Sequence, residues 1–209
     1  MKVEIEVDLR PTLPPIRDQG PRPTCLSHAT TAAHEKCRGS IIPLSPEYLH
    51  FFATGGVSSG VTVEKIAETL KRKGQPTDAD CPYWSTDPPS GWKPRNRLTV
   101  FRRASQEGMG SSLRQLEQLI RKEQVPVLGI ALTNGFYMPS PPWNISSDGP
   151  LRGFHAVAGV GLGKFLANRA VLIRNSWGCN WADDGYAWLD ETFISRHLKK
   201  VLVLTDEVI

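Results

Sequence analysis

The stretch Asp18-Gln19-Gly20-Pro21-Arg22-Pro23-Thr24-Cys25-Leu26-Ser27-His28-Ala29 organises the chain. A glutamine-glycine pair stands ahead of a lone cysteine, and that cysteine opens a helix. Pro23 discourages helix before it, and Thr24 is a capping residue whose hydroxyl accepts from the orphan N–H groups of a first turn. The spacing predicts a helix through Ala29, Ala32, Ala33 and Glu35, ending near Gly39. A cysteine on the first turn sits at the positive end of the helix dipole, which favours thiolate, the nucleophilic form. An isolated cysteine beside Leu26 and Ala29 is more often a small buried core residue, so this stretch alone does not make a nucleophile.

Two downstream segments change that balance. One is Gly153-Phe154-His155-Ala156-Val157-Ala158-Gly159-Val160-Gly161. The other is Val171-Leu172-Ile173-Arg174-Asn175-Ser176-Trp177-Gly178, followed by Trp181 and by Asp184-Gly185-Tyr186-Ala187-Trp188-Leu189. Each sets a polar residue at one end of an apolar run of strand type. His155 and Asn175 fall roughly 130 and 150 residues after Cys25, the spacing of the papain and cathepsin signature. Together with Gln19, these residues resemble the papain-like (C1) cysteine peptidases. Asn-Ser-Trp-Gly with Trp181 and Gly185-Tyr186 is the most specific part, and the resemblance runs over about residues 8 to 195.

The resemblance implies an α+β, two-lobed papain-like fold in a single domain, 1–209. A helical lobe would take about 18–110. An antiparallel, barrel-like β lobe would take about 111–209 with the N-terminal arm, leaving a cleft between the two. It implies a cysteine peptidase that hydrolyses peptide or isopeptide bonds through an acyl-enzyme thioester. Cys25 would be the nucleophile and His155 its proton partner. Asn175 would orient the ring, and Gln19 would join the Cys25 N–H in binding the oxyanion. Trp177 would shield the His155–Asn175 bond. Gly60 would offer its backbone to an extended substrate, with a plain loop glycine as the alternative. A papain-like module that holds peptide without cutting it, and a Cys-dependent acyl transferase, are the competing readings.

Departures from the family's pattern bear on substrate preference more than on the reaction. Leu26 stands where an aromatic usually follows the nucleophile, and Pro23-Thr24 where glycine and a hydroxyl residue usually precede it. Arg22 stands where secreted members carry a disulfide cysteine. His28 replaces a common aromatic, and a buried, hydrogen-bonded structural role is expected for it rather than that of a second base.

Composition narrows the other possibilities. At 209 residues, 40% hydrophobic and 22% charged, the chain reads as an ordinary globular protein. Net charge is only +4. The basic runs Lys71-Arg72-Lys73 and Arg102-Arg103 lack the interleaved aromatics of a single-strand nucleic-acid surface, so no nucleic-acid partner is expected. No apolar run approaches the ~20 residues of a membrane span, so no membrane partner is expected either. Cys25, Cys37, Cys81 and Cys179 have no zinc-type spacing, and neither metal nor cofactor is expected. Sparse thiols, no export signal and no inhibitory pro-segment point to the cytoplasm. A protein or peptide substrate, and a regulatory protein partner to restrain activity, complete the expectation.

Elsewhere, Ser45-Pro46-Glu47 and Thr62 are helix starts, as is Ser111 or Ser112. Cys81-Pro82-Tyr83 resembles the family's Tyr-Pro-Tyr-type segment. Strands are expected over residues 1–8, near 98–104, over 126–132, and near 154–162, 169–174, 185–190 and 200–205. The long polar loop at 133–152 leads into His155 and so is placed at the border of the cleft.

Overall fold

The computed structural model describes residues 3–108, 112–165 and 168–208. Helix α1 (Cys25–Arg38) forms where expected and stops at Gly39, which turns left-handed (φ 60°) and returns its N–H to Lys36 O. The side-chain cap does not form. Tyr83 gives its hydroxyl proton to Gln19 O at 2.8 Å, so Thr24 Oγ1 is the donor in its 2.7 Å bond to Tyr83. The hydroxyl is thus turned to a tertiary partner, and the Thr24 backbone, at ψ 10°, is not the extended one from which a side chain reaches back to the first turn.

Residues 26–35 of α1 are all buried, which makes it the central helix of the molecule. Its polar members are tied to flanking segments. Glu35 accepts from Arg17 at 2.6 Å and from Leu44 N at 2.8 Å, and His34 bonds Gln75 at 2.8 Å. Against α1 pack α2 (Pro46–Thr54) and α3 (Val63–Arg72). Both start at the expected caps: Ser45 accepts from Tyr48 N at 3.0 Å and Thr62 from Lys65 N at 3.3 Å. Helix α4 (Leu113–Arg121) carries a capping box between Ser112 and Gln115 and buries Leu113, Leu116 and Ile120. Ser112 is therefore the cap, while Ser111 lies outside the described residues.

The second half is a sheet of β1 (Glu4–Asp8), β2 (Arg103–Gly108), β3 (Val127–Leu132), β4 (Gly153–Phe165), β5 (Asn168–Arg174), β6 (Tyr186–Asp190) and β7 (Leu198–Glu207). The order is β2-β7-β3-β4-β5-β6, with β1 on β4, and every pairing is antiparallel. Along one edge of β4, β3 pairs with residues 153–158 and β1 with residues 161–164. The architecture is the expected α+β fold, but the sheet is not closed into a barrel: among the described residues, β2 and β6 end the strand path. β2 lies inside the stretch assigned to the helical lobe, yet it pairs with β7, so the sheet draws in chain from residue 103 onward.

Two helices arise where the sequence reading places none. Helix α5 (Asn134–Tyr137) sits in the 133–152 loop, which is pinned by the fully buried Phe136 and Ile145. Helix α6 (Glu191–His197) follows β6, capped by Asp190 accepting from Phe193 N at 2.8 Å. The N-terminal arm is clamped to the sheet by Arg174, which donates to Pro14 O at 2.7 Å and Pro15 O at 2.6 Å. All four cysteines are free thiols.

Candidate active site

The sheet and α1 deliver the expected residues to one place. His155 is the third residue of β4, and the pleat sends neighbouring side chains to opposite faces. Phe154 is 78% exposed while His155 is 6% exposed. Asn175 follows the last residue of β5, its N–H held by Gly185 O at 3.0 Å. Gln19 comes from the arm, which runs antiparallel to the Ser176–Gly178 segment. Gln19 N donates to Ser176 O at 2.7 Å, and Gly178 N to Arg17 O at 3.1 Å. Gly20 then turns the chain towards α1 with φ +60°, and a Cβ there would stand 2.6 Å from Ser85 O. Only glycine fits that turn, which accounts for the Gln-Gly pair.

Two hydrogen bonds fix the chemistry of the pair His155–Asn175. Asn175 Oδ1 accepts from the Ser176 N–H at 2.9 Å, so that atom is the carboxamide oxygen. His155 Nε2, 2.7 Å from the same atom, must carry the proton it donates. Nδ1 is left with the lone pair. The same logic orients Gln19. Its Nε2 donates to Arg22 O at 2.7 Å and its Oε1 accepts from Ser176 Oγ at 2.7 Å, leaving one N–H of the amide uncommitted by these contacts. Ser176 therefore links Gln19 to Asn175. Sequence reading places Ser176 in the Asn-Ser-Trp-Gly run without a role, because the link exists only once the arm lies beside that run.

Electrostatics run against the expected thiolate. Burial pushes the Cys25 thiol up, outweighing backbone hydrogen bonds from Ala156 and Leu26 that pull it down. Burial likewise lowers His155 to about 4, against the opposing bond to Asn175. Burial thus opposes each charge taken alone, against the helix N-terminus that favours thiolate. The sulfur lies against the N–H of Ala156, the residue after His155, and is not hydrogen-bonded to the ring.

A cleft of about 910 Å³ is lined by Gln19, Cys25, Gly60, Tyr137, His155 and Trp177, among others. Asn175 lies behind His155, 3% exposed. The Trp177 ring is 4.9 Å from that of His155, and Phe136 is 5.6 Å from His155 and 5.3 Å from Trp177. Together they form an apolar wall over the imidazole. Phe136 escapes sequence reading because it lies in a loop that looks polar. Gly60 is exposed, and nothing stands within 4 Å of a Cβ built there, so space does not require glycine. Tyr137 brings the 133–152 loop to the cleft, as expected. His28 is buried as expected, but the hydrogen bond expected of it is missing: neither ring nitrogen has a partner among the described residues. Among the described residues no cluster of His, Cys, Asp and Glu is arranged to hold a metal ion, and no helix is long and apolar enough to cross a membrane.

With this fold and this arrangement, the chain belongs to the papain family of cysteine proteases, whose model matches residues 4–197. It is 30% identical over 185 residues to a cathepsin L-like proteinase of Phaedon cochleariae, covering 82% of this chain and 55% of that protein. It is 28% identical to the oryzain gamma chain of Oryza sativa subsp. japonica, covering 82% and 50%. The chain thus spans about half the length of the curated relatives it matches. In fold it resembles xylellain, a cysteine protease from Xylella fastidiosa, with a TM-score of 0.81 at 21% identity, covering 100% of this chain and 87% of that one. Procathepsin B S9 from Trypanosoma congolense superposes with a TM-score of 0.79 at 16% identity, covering 99% and 79%.

Proposed function

We propose that this chain is a cysteine peptidase acting on peptide or isopeptide bonds, with Cys25 as nucleophile. The observation that carries the reading is the tautomer of His155: Nε2–H is committed to Asn175 Oδ1, so Nδ1 is free to take the thiol proton. Because burial disfavours either charge alone, the proton moves from Sγ to Nδ1 as Sγ attacks the carbonyl carbon, and the two charges form together. The oxyanion is received by the Cys25 N–H and the uncommitted N–H of Gln19. His155 then protonates the departing amine, leaving a thioester. Water, deprotonated by the same ring, releases the acid and regenerates the thiol.

Asn175 holds the ring's angle and stabilises the imidazolium. Trp177 and Phe136 keep water from the Nε2–Oδ1 bond. Gly60, on the rim, offers its backbone to an extended substrate. The substrate is a protein or peptide, a regulatory protein partner restrains the enzyme, and four free thiols suit a reducing cytoplasm.

The test is a peptidyl epoxide followed by peptide mapping. The expected result is one adduct, on Cys25, lost in His155→Ala. Equal labelling of all four cysteines would point instead to a module that binds peptide without cutting it.

A further inference from the structure

Behind the His155–Asn175 pair lies a small cavity of about 10 Å³. Four alanines and Ser176 make up part of its wall, and Arg17, His28, Arg174 and Asn175 the rest. All of these but Arg17 are buried. The volume is roughly that of one water molecule, and the wall is polar enough to hold one. Three polar atoms of the wall have no partner among the described residues: both ring nitrogens of His28, and Nδ2 of Asn175. The guanidinium groups are engaged elsewhere, Arg17 with Glu35 and Leu44 O, Arg174 with Pro14 O and Pro15 O.

We propose that His28 is a positioning residue for the acylating site, acting through one internal water held between its ring and the Asn175 carboxamide. This rests on the roles given above to Cys25, His155 and Asn175. The direction of each bond follows from what is already committed. Asn175 Oδ1 is taken by Ser176 N–H and His155 Nε2–H, so Nδ2 is the end left to donate. His28 is faced by Arg17 of the arm, His50 of α2, Tyr83, His155 of β4 and Arg174 of β5. Burial first, and then the guanidinium groups of Arg17 and Arg174, hold its pKa well below the usual histidine value. The ring is neutral and keeps a lone pair. The water accepts from Asn175 Nδ2–H and donates to that lone pair.

The bridge selects one orientation of the carboxamide. Turned by half a rotation, Asn175 would set its NH₂ against His155 Nε2–H and Ser176 N–H, donor against donor. Its oxygen would then face the cavity. Holding Nδ2 at the water keeps Oδ1 on Nε2, which leaves Nδ1 unprotonated and supports the imidazolium when it forms.

Iodoacetamide labelling of the full chain at neutral pH, read cysteine by cysteine, tests this. In the wild type, Cys25 is labelled ahead of the exposed Cys179, because Cys25 has His155 to take its proton. His28→Leu keeps the volume and removes the lone pair. It slows labelling of Cys25 about tenfold, the equivalent of one pKa unit of lost imidazolium support, and leaves Cys179 unchanged. His28→Gln, whose Oε1 accepts from the same water, restores the rate. A folded His28→Leu chain with wild-type labelling overturns the inference alone. Wild-type Cys25 lagging behind Cys179 overturns the proposed peptidase site, and the inference with it. If His28→Leu does not fold, the wild-type protein decides. High-resolution density must show an ordered oxygen within hydrogen-bond distance of Asn175 Nδ2 and a His28 ring nitrogen, and a dry cavity overturns the proposal.

Discussion

The Ser176 hydroxyl donates to Gln19 Oε1 at 2.7 Å, and so ties the segment that carries Asn175 to the residue proposed to bind the oxyanion. Gln19 Nε2 keeps its second anchor, Arg22 O, when that bond is cut. Ser176→Ala is therefore expected to lower kcat up to about tenfold, the scale of one neutral hydrogen bond. Gln19→Ala removes the donor itself and is expected to cost about 10²–10³ in kcat with KM little changed. Steady-state kinetics on a fluorogenic peptide separate the two. Equal losses, or a loss confined to KM, would contradict this division of roles.

Arg22 and Glu47 form a buried ion pair, Nη1 to Oε2 at 2.5 Å and Nη2 to Oε1 at 3.0 Å, with Arg22 5% and Glu47 1% exposed. Residue 22 is the position where secreted members of the family carry a disulfide cysteine. Here a bidentate salt bridge to α2 ties down the segment just ahead of Cys25. Removing one partner strands the other charge in the interior, so Arg22→Met is expected to cost about 3–5 kcal/mol. Arg22→Met with Glu47→Leu is expected to cost less than Arg22→Met alone, because no charge is then stranded. Urea midpoints measure both. A single variant as stable as the wild type would contradict the argument.

Burial lowers His34, His50 and His155 from the ordinary value of 6.5 to about 4. His28 is shifted in the same direction. Between those values the unfolded chain binds more protons than the folded one, so stability increases with pH across the window. It is therefore lost as pH falls from 6.5 towards 4. The urea midpoint is expected to fall steadily between about pH 7 and about pH 5. A flat profile over that range would mean that these rings are not held neutral by the fold.

Much of the fold is legible in the sequence where a local signal and the tertiary demand agree. Ser45, Thr62 and Ser112 cap helices because each has an extended backbone, ψ 105°, 159° and 163°, with its oxygen turned to the first turn. Thr24 fails as a cap because its backbone, at ψ 10°, is not extended and its hydroxyl is turned to Tyr83, nearly sixty residues away. The apolar runs of β3 to β6 announce buried strands. α6 is missed although Asp190 and Glu191 mark its start, because seven residues between two strands carry too little periodicity to be read.

The positions of Cys25, His155, Asn175 and Gln19 are legible through motif and spacing, and the cleft gathers Cys25, His155 and Gln19. Their electrostatics are not. The helix N-terminus is visible in the sequence and argues for a thiolate. The burial that opposes it exists only after β4 is laid against α1. The roles of Ser176, Phe136 and the His28 cavity likewise arise from segments brought together by folding.

The central claim is that thiol, imidazole and carboxamide form one acylating centre that cuts peptide bonds. Digestion of a proteome-derived peptide library by the wild type and by Cys25→Ala, with new N-termini identified by mass spectrometry, tests it most directly. The account predicts a set of cleavages made by the wild type and absent with Cys25→Ala. Indistinguishable fragment patterns from the two proteins would contradict it.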